Sequence, residues 1–202
     1  MPGDLYITAD AAADRLLNDD PNALLIGMLL DQQIPLEWAF LGPATLRERL
    51  GHLDPGRIAT MDVDDLVEVA CRTPAIHRFP AVMARRLHAL CNVLVRDHRG
   101  SASSLWADGP DGAVLHRRLL ALPGFGDEKS KIFIALLAKR QGVAVPGWEI
   151  SAGVFADDQP RSIADTHDAA SLSAVRAWKA AQKAVGKDKQ DRPVPKPAVT
   201  RG

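Results

Sequence analysis

At 202 residues, 47% of them hydrophobic and only 5% aromatic, the chain is long enough for one domain, or one domain built from two lobes, and its alanine and leucine favour helix over strand. No apolar run reaches the roughly 18 residues of a membrane span and no basic stretch leads an apolar one at the N-terminus, so a soluble, cytoplasmic, monomeric protein is expected. The net charge is zero, yet residues 1–70 hold 13 acidic and 4 basic side chains while residues 71–202 hold 12 and 21, a split compatible with one basic face for nucleic acid.

Residues 1–9 are a short apolar lead-in, and Asp10–Asn18 reads as an amphipathic helix through Ala11, Ala12, Leu16 and Leu17. Asp20 caps and Pro21 restarts a helix running to about Gln33. That helix is apolar on all sides and belongs at the centre of the core. It ends in Asp31-Gln32-Gln33-Ile34-Pro35, a polar cluster that is either a helix end in solvent or a functional edge. Trp38 and Phe40 follow as core or stacking residues, and Gly42-Pro43 is expected to break or kink their helix. An acidic helix spans Asp62–Cys71. A helical region from Ala75 to His98, interrupted at Phe79-Pro80, carries an apolar stripe and an arginine-rich outer face.

Ala113–Leu122 and Asp127–Arg140 are two helices joined by Pro123-Gly124-Phe125-Gly126. Proline stops the first helix, the glycines permit backbone angles closed to other residues, and Phe125 plugs the turn into the core. Val143–Val145 is extended, Pro146-Gly147-Trp148-Glu149 follows, residues 156–170 read as an irregular polar linker, and Ser171–Val185 is a last amphipathic helix with Leu172, Val175 and Trp178 inward. A Lys/Pro-rich tail, 187–202, is expected to be disordered and to add weak nonspecific DNA affinity, leaving 1–186 as the domain. The two cysteines, Cys71 and Cys91, cannot supply the four thiolates of an iron–sulfur cluster; both fall in apolar patterns where buried thiols are expected. The six histidines show no zinc spacing.

The turn Leu122-Pro123-Gly124-Phe125-Gly126 resembles the helix-hairpin-helix motif of the HhH-GPD superfamily of base-excision DNA glycosylases. The apolar helix ending in Gln32-Gln33 resembles, more narrowly, the 3-methyladenine branch. The resemblance implies an all-α, two-lobed fold with the hairpin motif at about 113–140, and double-stranded DNA carrying a lesion as partner. Glycine N–H groups at Gly124 and Gly126 would face a phosphate, with Lys129 and Lys131 adding charge. Hairpin carbonyls would hold a K⁺ or Na⁺ bridging to it, with no other cofactor and no iron–sulfur cluster. Gln32 and Gln33 would face the extruded base, with Trp38, Trp148 and Phe79 as stacking candidates.

Two family positions bear on the chemistry. The lysine of bifunctional members would stand two residues after Gly126, where this chain has Glu128; Lys129 lies about 100° further round the helix, and no lyase step is expected. The family aspartate aligns with Pro146, leaving Glu149 and, from the opposite wall, Asp31 as the candidate carboxylates, with Asp157 and Asp158 behind them. A monofunctional N-glycosylase acting on an alkylated or deaminated base and a catalytically inactive DNA-binding relative both stand at this point. A helical interaction protein would require the hairpin to be coincidental.

Overall fold

The computed structural model describes residues 4–194. Ten α-helices follow in order: α1 (Ala11–Asp19), α2 (Pro21–Leu30), α3 (Leu36–Leu50), α4 (Pro55–Ala59), α5 (Val63–Cys71), α6 (Pro80–Asp97), α7 (Gly112–Leu120), α8 (Asp127–Arg140), α9 (Trp148–Ala152) and α10 (Ala169–Ala184). Among the described residues the sole β pairing is an isolated bridge between Lys187 and Pro193. No helix there is long and apolar enough to cross a membrane.

The N-terminal boundaries follow from caps. Asp10, Asp20, Asp54, Asp62, Asp111 and Asp168 each accept a backbone N–H from the first turn of the helix they precede. Every residue of α2 from Ala23 to Leu30 is buried, because α3 and α6 cover one side and the hairpin residues approach from another. Helices α4 and α5 pack on α6, and α7 and α9 pack on α8. One apolar cluster runs through both groups, from Leu25 and Phe40 to Leu87, Phe133 and Phe155.

Several local expectations change. Gly42-Pro43 does not end its helix: α3 continues through Pro43 to Leu50. Burial of Ala39, Phe40 and Leu46 holds it together despite the missing N–H. Gly42 is there for close approach, since a Cβ would come within 2.3 Å of Leu30 Cδ1. Cys71 is exposed at the end of α5, while Cys91 is buried and its thiol is pushed up to about 12 by desolvation.

The stretch expected as a polar linker, 156–170, is bolted to the end of α8. Arg161, Ser162 and Thr166 are buried. Lys139 Nζ donates to Asp165 Oδ1 at 2.7 Å and to Asp157 O at 2.6 Å, and Arg140 Nε donates to Ala164 O at 2.9 Å. Its polarity was therefore a sign of buried pairing rather than of solvent. Trp178 is only half-buried, beneath the Arg161 guanidinium at 5.0 Å. Within 187–194, part of the tail expected to be disordered, Arg161 Nη1 donates to Asp191 Oδ2 at 2.6 Å and Gln190 Nε2 to Glu128 Oε2 at 3.2 Å. The tail expectation for residues 195–202 lies outside the described residues.

Candidate nucleic-acid interface

The hairpin turn is set by its glycines in two different ways. Gly124 has φ +81° and lies against α2, where a Cβ would meet Leu29 Cδ1 at 2.5 Å. Gly126 has φ −109° and open space around it. The first glycine is therefore required by the fold. The second leaves a bare, exposed backbone at the head of α8, where the helix dipole favours an anion. Leu122 and Phe125 are buried, with Phe125 edge-on to Phe133 at 6.1 Å, so the turn is pinned to the core. Pro123 is half-buried between them.

The end of α2 meets this turn. Gln32 Nε2 donates to Leu29 O at 2.8 Å, and its Oε1 accepts from Arg86 Nη1 at 2.6 Å. Both ends of the amide are occupied inside the protein. Gln33 is exposed, with a left-handed φ of +58° that turns the chain away from α2. His77, only 1% exposed, locks this corner: Phe79 N–H donates to Nδ1 at 2.9 Å, so Nε2 carries the proton and donates to Gln32 O at 2.9 Å. Burial lowers its pKa, and the Arg86 and Lys129 charges lower it further against the pull of the Gln32 and Leu30 carbonyls. Trp38 stacks on the His77 ring at 6.4 Å and donates from Nε1 to Ala75 O at 3.1 Å. Trp38, Phe79 and Val82 present an exposed apolar edge flanked by Arg78, which lies 5.3 Å from the Phe79 ring centre, and by Arg86. Gln32, Gln33, His77, Phe79, Met83 and Arg86 line a depression of about 190 Å³.

The lysines of the motif do not stand free at the turn. Lys129 points into the junction, where Nζ donates to Met28 O at 2.6 Å and Leu29 O at 3.1 Å and lies 5.7 Å from the Phe125 ring centre. It satisfies carbonyls that the end of α2 leaves without helical donors. Desolvation lowers its pKa to about 8, opposed by the attraction of Asp31 and aided by Lys189 and Arg86. Lys131 is paired with Asp127 at 2.8 Å, and Asp127 also faces His116 at 3.2 Å. Arg86, whose Cδ lies 4.0 Å from a Cβ built on Gly124, brings positive charge to the turn from α6.

The exit from α8 is elsewhere. Val143 N–H bonds to Leu137 O at 3.0 Å, and Gly112 N–H to Pro146 O at 2.8 Å, which places 143–147 at the first turn of α7. The hairpin leaves the last turn of α7, nine residues and about 13 Å away along its axis. Glu149 is exposed and Trp148 half-buried on the short helix α9 at this far end. Asp31, half-buried, is the candidate carboxylate that shares the junction with Gln32, Lys129 and the hairpin. Asp157 is tied to Arg161 at 2.8 Å, and Asp158 lies beside it in the 3-10 turn region after α9.

A family model described as the HhH-GPD superfamily of base excision DNA repair proteins matches residues 26–192. The chain belongs to that superfamily. Among solved structures, one described as a trapped endonuclease III–DNA covalent intermediate, an estranged-adenine complex, is similar at 19% identity and a TM-score of 0.43, covering 66% of this chain and 55% of that one. The chain thus spans little more than half the length of that protein. No curated protein matches.

In this HhH-GPD chain the residues that sequence reading undervalued are His77 and Arg86. Arg86 was one of the arginines of the outer face and His77 one of six scattered histidines, and nothing in helical spacing tells which arginine of the Arg85-Arg86 pair turns toward Gln32. The signal that was available is the helix break at Phe79-Pro80, which leaves 75–79 as loop. A histidine in such a loop, after a buried Ile76, is well placed to bridge two backbone segments.

Proposed function

We propose that this protein is a monofunctional DNA N-glycosylase whose site lies where the end of α2 meets the hairpin, and that Asp31 is its carboxylate. The observation that carries this reading is the convergence, in one junction, of the exposed turn Gly124–Gly126, the Gln32–Gln33 corner, the Trp38–His77–Phe79 aromatic row and Asp31 beside Lys129. In such a site the turn holds the DNA backbone without reading sequence. The aromatic edge offers a stacking surface to an unstacked base, and Gln33, whose side chain makes no hydrogen bond among the described residues, takes the edge-reading role that Gln32 is too constrained to fill. An ionised Asp31 stabilises the positive charge that grows on the sugar as the glycosidic bond breaks, or takes a proton from the attacking water.

Leu122 O accepts a single N–H within the turn, from Phe125, and keeps a second lone pair, whereas Leu119 O already accepts from Ala121 and Leu122. The Leu122 carbonyl fits a monovalent cation, which would supply charge between turn and phosphate. The absence of a lyase step follows from Lys129 being held on the Met28 and Leu29 carbonyls and from Glu128 being engaged by Gln190 and Lys189.

A second reading, a relative that binds DNA without excising a base, draws on Pro146 at the position of the family aspartate and on the exposed Glu149 at the far end of α7. Incubation with duplexes carrying alkylated or deaminated bases, followed by alkali, separates the two. Strand cleavage after alkali, with no borohydride-trapped adduct, is the expected result; retained DNA binding with no cleavage on any lesion supports the second.

A further inference from the structure

The turn 187–194 brings cations to the first turn of α8 from a part of the chain outside the motif. It closes a pocket of about 270 Å³ between α10 and the first turn of α8, lined by Glu128, Trp178, Lys179, Gln182 and residues 187–189. Lys189 Nζ reaches Glu128 Oε1 at 3.5 Å. Lys179 is half-buried and Lys187 exposed, and neither makes an ion pair or side-chain hydrogen bond among the described residues. Gln182 Oε1 is buried in the same place without a hydrogen-bond partner. A buried polar atom without a partner is uncommon enough to require a reason. Here an amide rotated by 180° would direct its N–H groups to an oxyanion in the pocket.

We infer that Lys179, Lys187 and Gln182 form a second oxyanion site that takes a backbone phosphate of the DNA held at Gly124–Gly126. This rests on the DNA-gripping reading of the hairpin. Burial and the neighbouring Lys189 press the Lys179 ammonium toward its neutral form, against the attraction of Asp31, Glu37 and Glu128, and an arriving anion would favour the charged form. The choice of a DNA phosphate over a free one comes from continuity. Glu128, which anchors Lys189, stands two residues beyond Gly126, about 3 Å along the helix axis. The pocket therefore adjoins the turn on which a strand would lie. The turn itself is held by Arg161, bonded to Asp157, Asp191 and Lys189 O, so the lysines are presented on a fastened loop.

The test is the salt dependence of duplex binding by wild type, Gly126→Ala and the double variant Lys179→Met/Lys187→Met. With the lysines replaced, the slope of log affinity against log salt should fall by about 0.9, one phosphate contact, and affinity near 0.1 M salt should drop roughly tenfold. Lys179→Arg/Lys187→Arg should restore both. An unchanged slope in the Met variant, with Gly126→Ala impaired, overturns this site and leaves the hairpin reading intact. A wild-type protein without DNA affinity overturns both. Saturable binding of inorganic phosphate, lost in the Met variant while its DNA slope stays unchanged, would assign the pocket to a free oxyanion and overturn the DNA assignment.

Discussion

The two ends of the α7–α8 pair carry the same kind of sequence signal and have opposite fates in the fold. At one end Pro123-Gly124-Phe125-Gly126 makes a turn that packs on the end of α2, with Leu29, Gln32 and Arg86 as neighbours. At the other end Pro146-Gly147-Trp148-Glu149 makes a similar proline–glycine punctuation, yet its backbone closes onto Gly112, Trp148 packs against the core, and Pro146 and Glu149 are exposed. What distinguishes them is the partner. The first turn meets a helix terminus whose last carbonyls take side-chain donors, together with an acid and two glutamines; the second meets the start of α7 and the flank of α8. A motif becomes a site when another segment brings chemistry to it.

The largest effect expected from this difference is catalytic. Asp31→Asn should lower base release by about 10² to 10⁴, the range for loss of a positioned acid–base group, while Glu149→Gln leaves the rate unchanged. Equal loss in both variants would merge the two ends that the fold separates. Next comes the contrast between the glycines. Gly124→Ala forces a side chain into a left-handed conformation, about 1–2 kcal/mol, and against Leu29, so thermal unfolding should shift down. Gly126→Ala meets open space and should leave stability near wild type while weakening DNA binding across all sequences.

His77→Ala removes two hydrogen bonds in a nearly sealed corner and should cost about 1–3 kcal/mol in denaturant unfolding. Because the folded-state pKa of His77 lies below 6.5, the unfolded chain binds more protons as pH falls below that value. Wild-type stability should therefore decline on acidification through that range, and the decline should be shallower in His77→Ala. The smallest effect is a titration. Lys129 should show a midpoint near 8 by side-chain NMR, and Asp31→Asn should lower it further, because the Asp31 charge supports the ammonium. A midpoint that does not respond would place Asp31 away from the junction.

Much of this was legible beforehand. The cap at Asp20, the helix starts near Asp10 and Asp62, the all-apolar α2 and the hairpin between α7 and α8 follow from local chemistry that the fold does not override. What could not be read depends on long-range closure. Lys129 projects to the end of α2, across about a hundred residues of chain, and α8 gives no sign of that acceptor. The polar stretch 156–170 looked like linker because its partners Lys139 and Arg140 sit on another element. Glu149 was a candidate as the carboxylate nearest in sequence to Pro146, and the fold sets that segment beside the first turn of α7.

The most direct measurement is amide chemical-shift mapping on titration with a lesion-bearing duplex. Perturbations concentrated at Asp31–Gln33, His77–Phe79 and Leu122–Lys129, with 143–152 unmoved, are what the account predicts. Shifts centred on Trp148–Ile150 with the hairpin silent would contradict it.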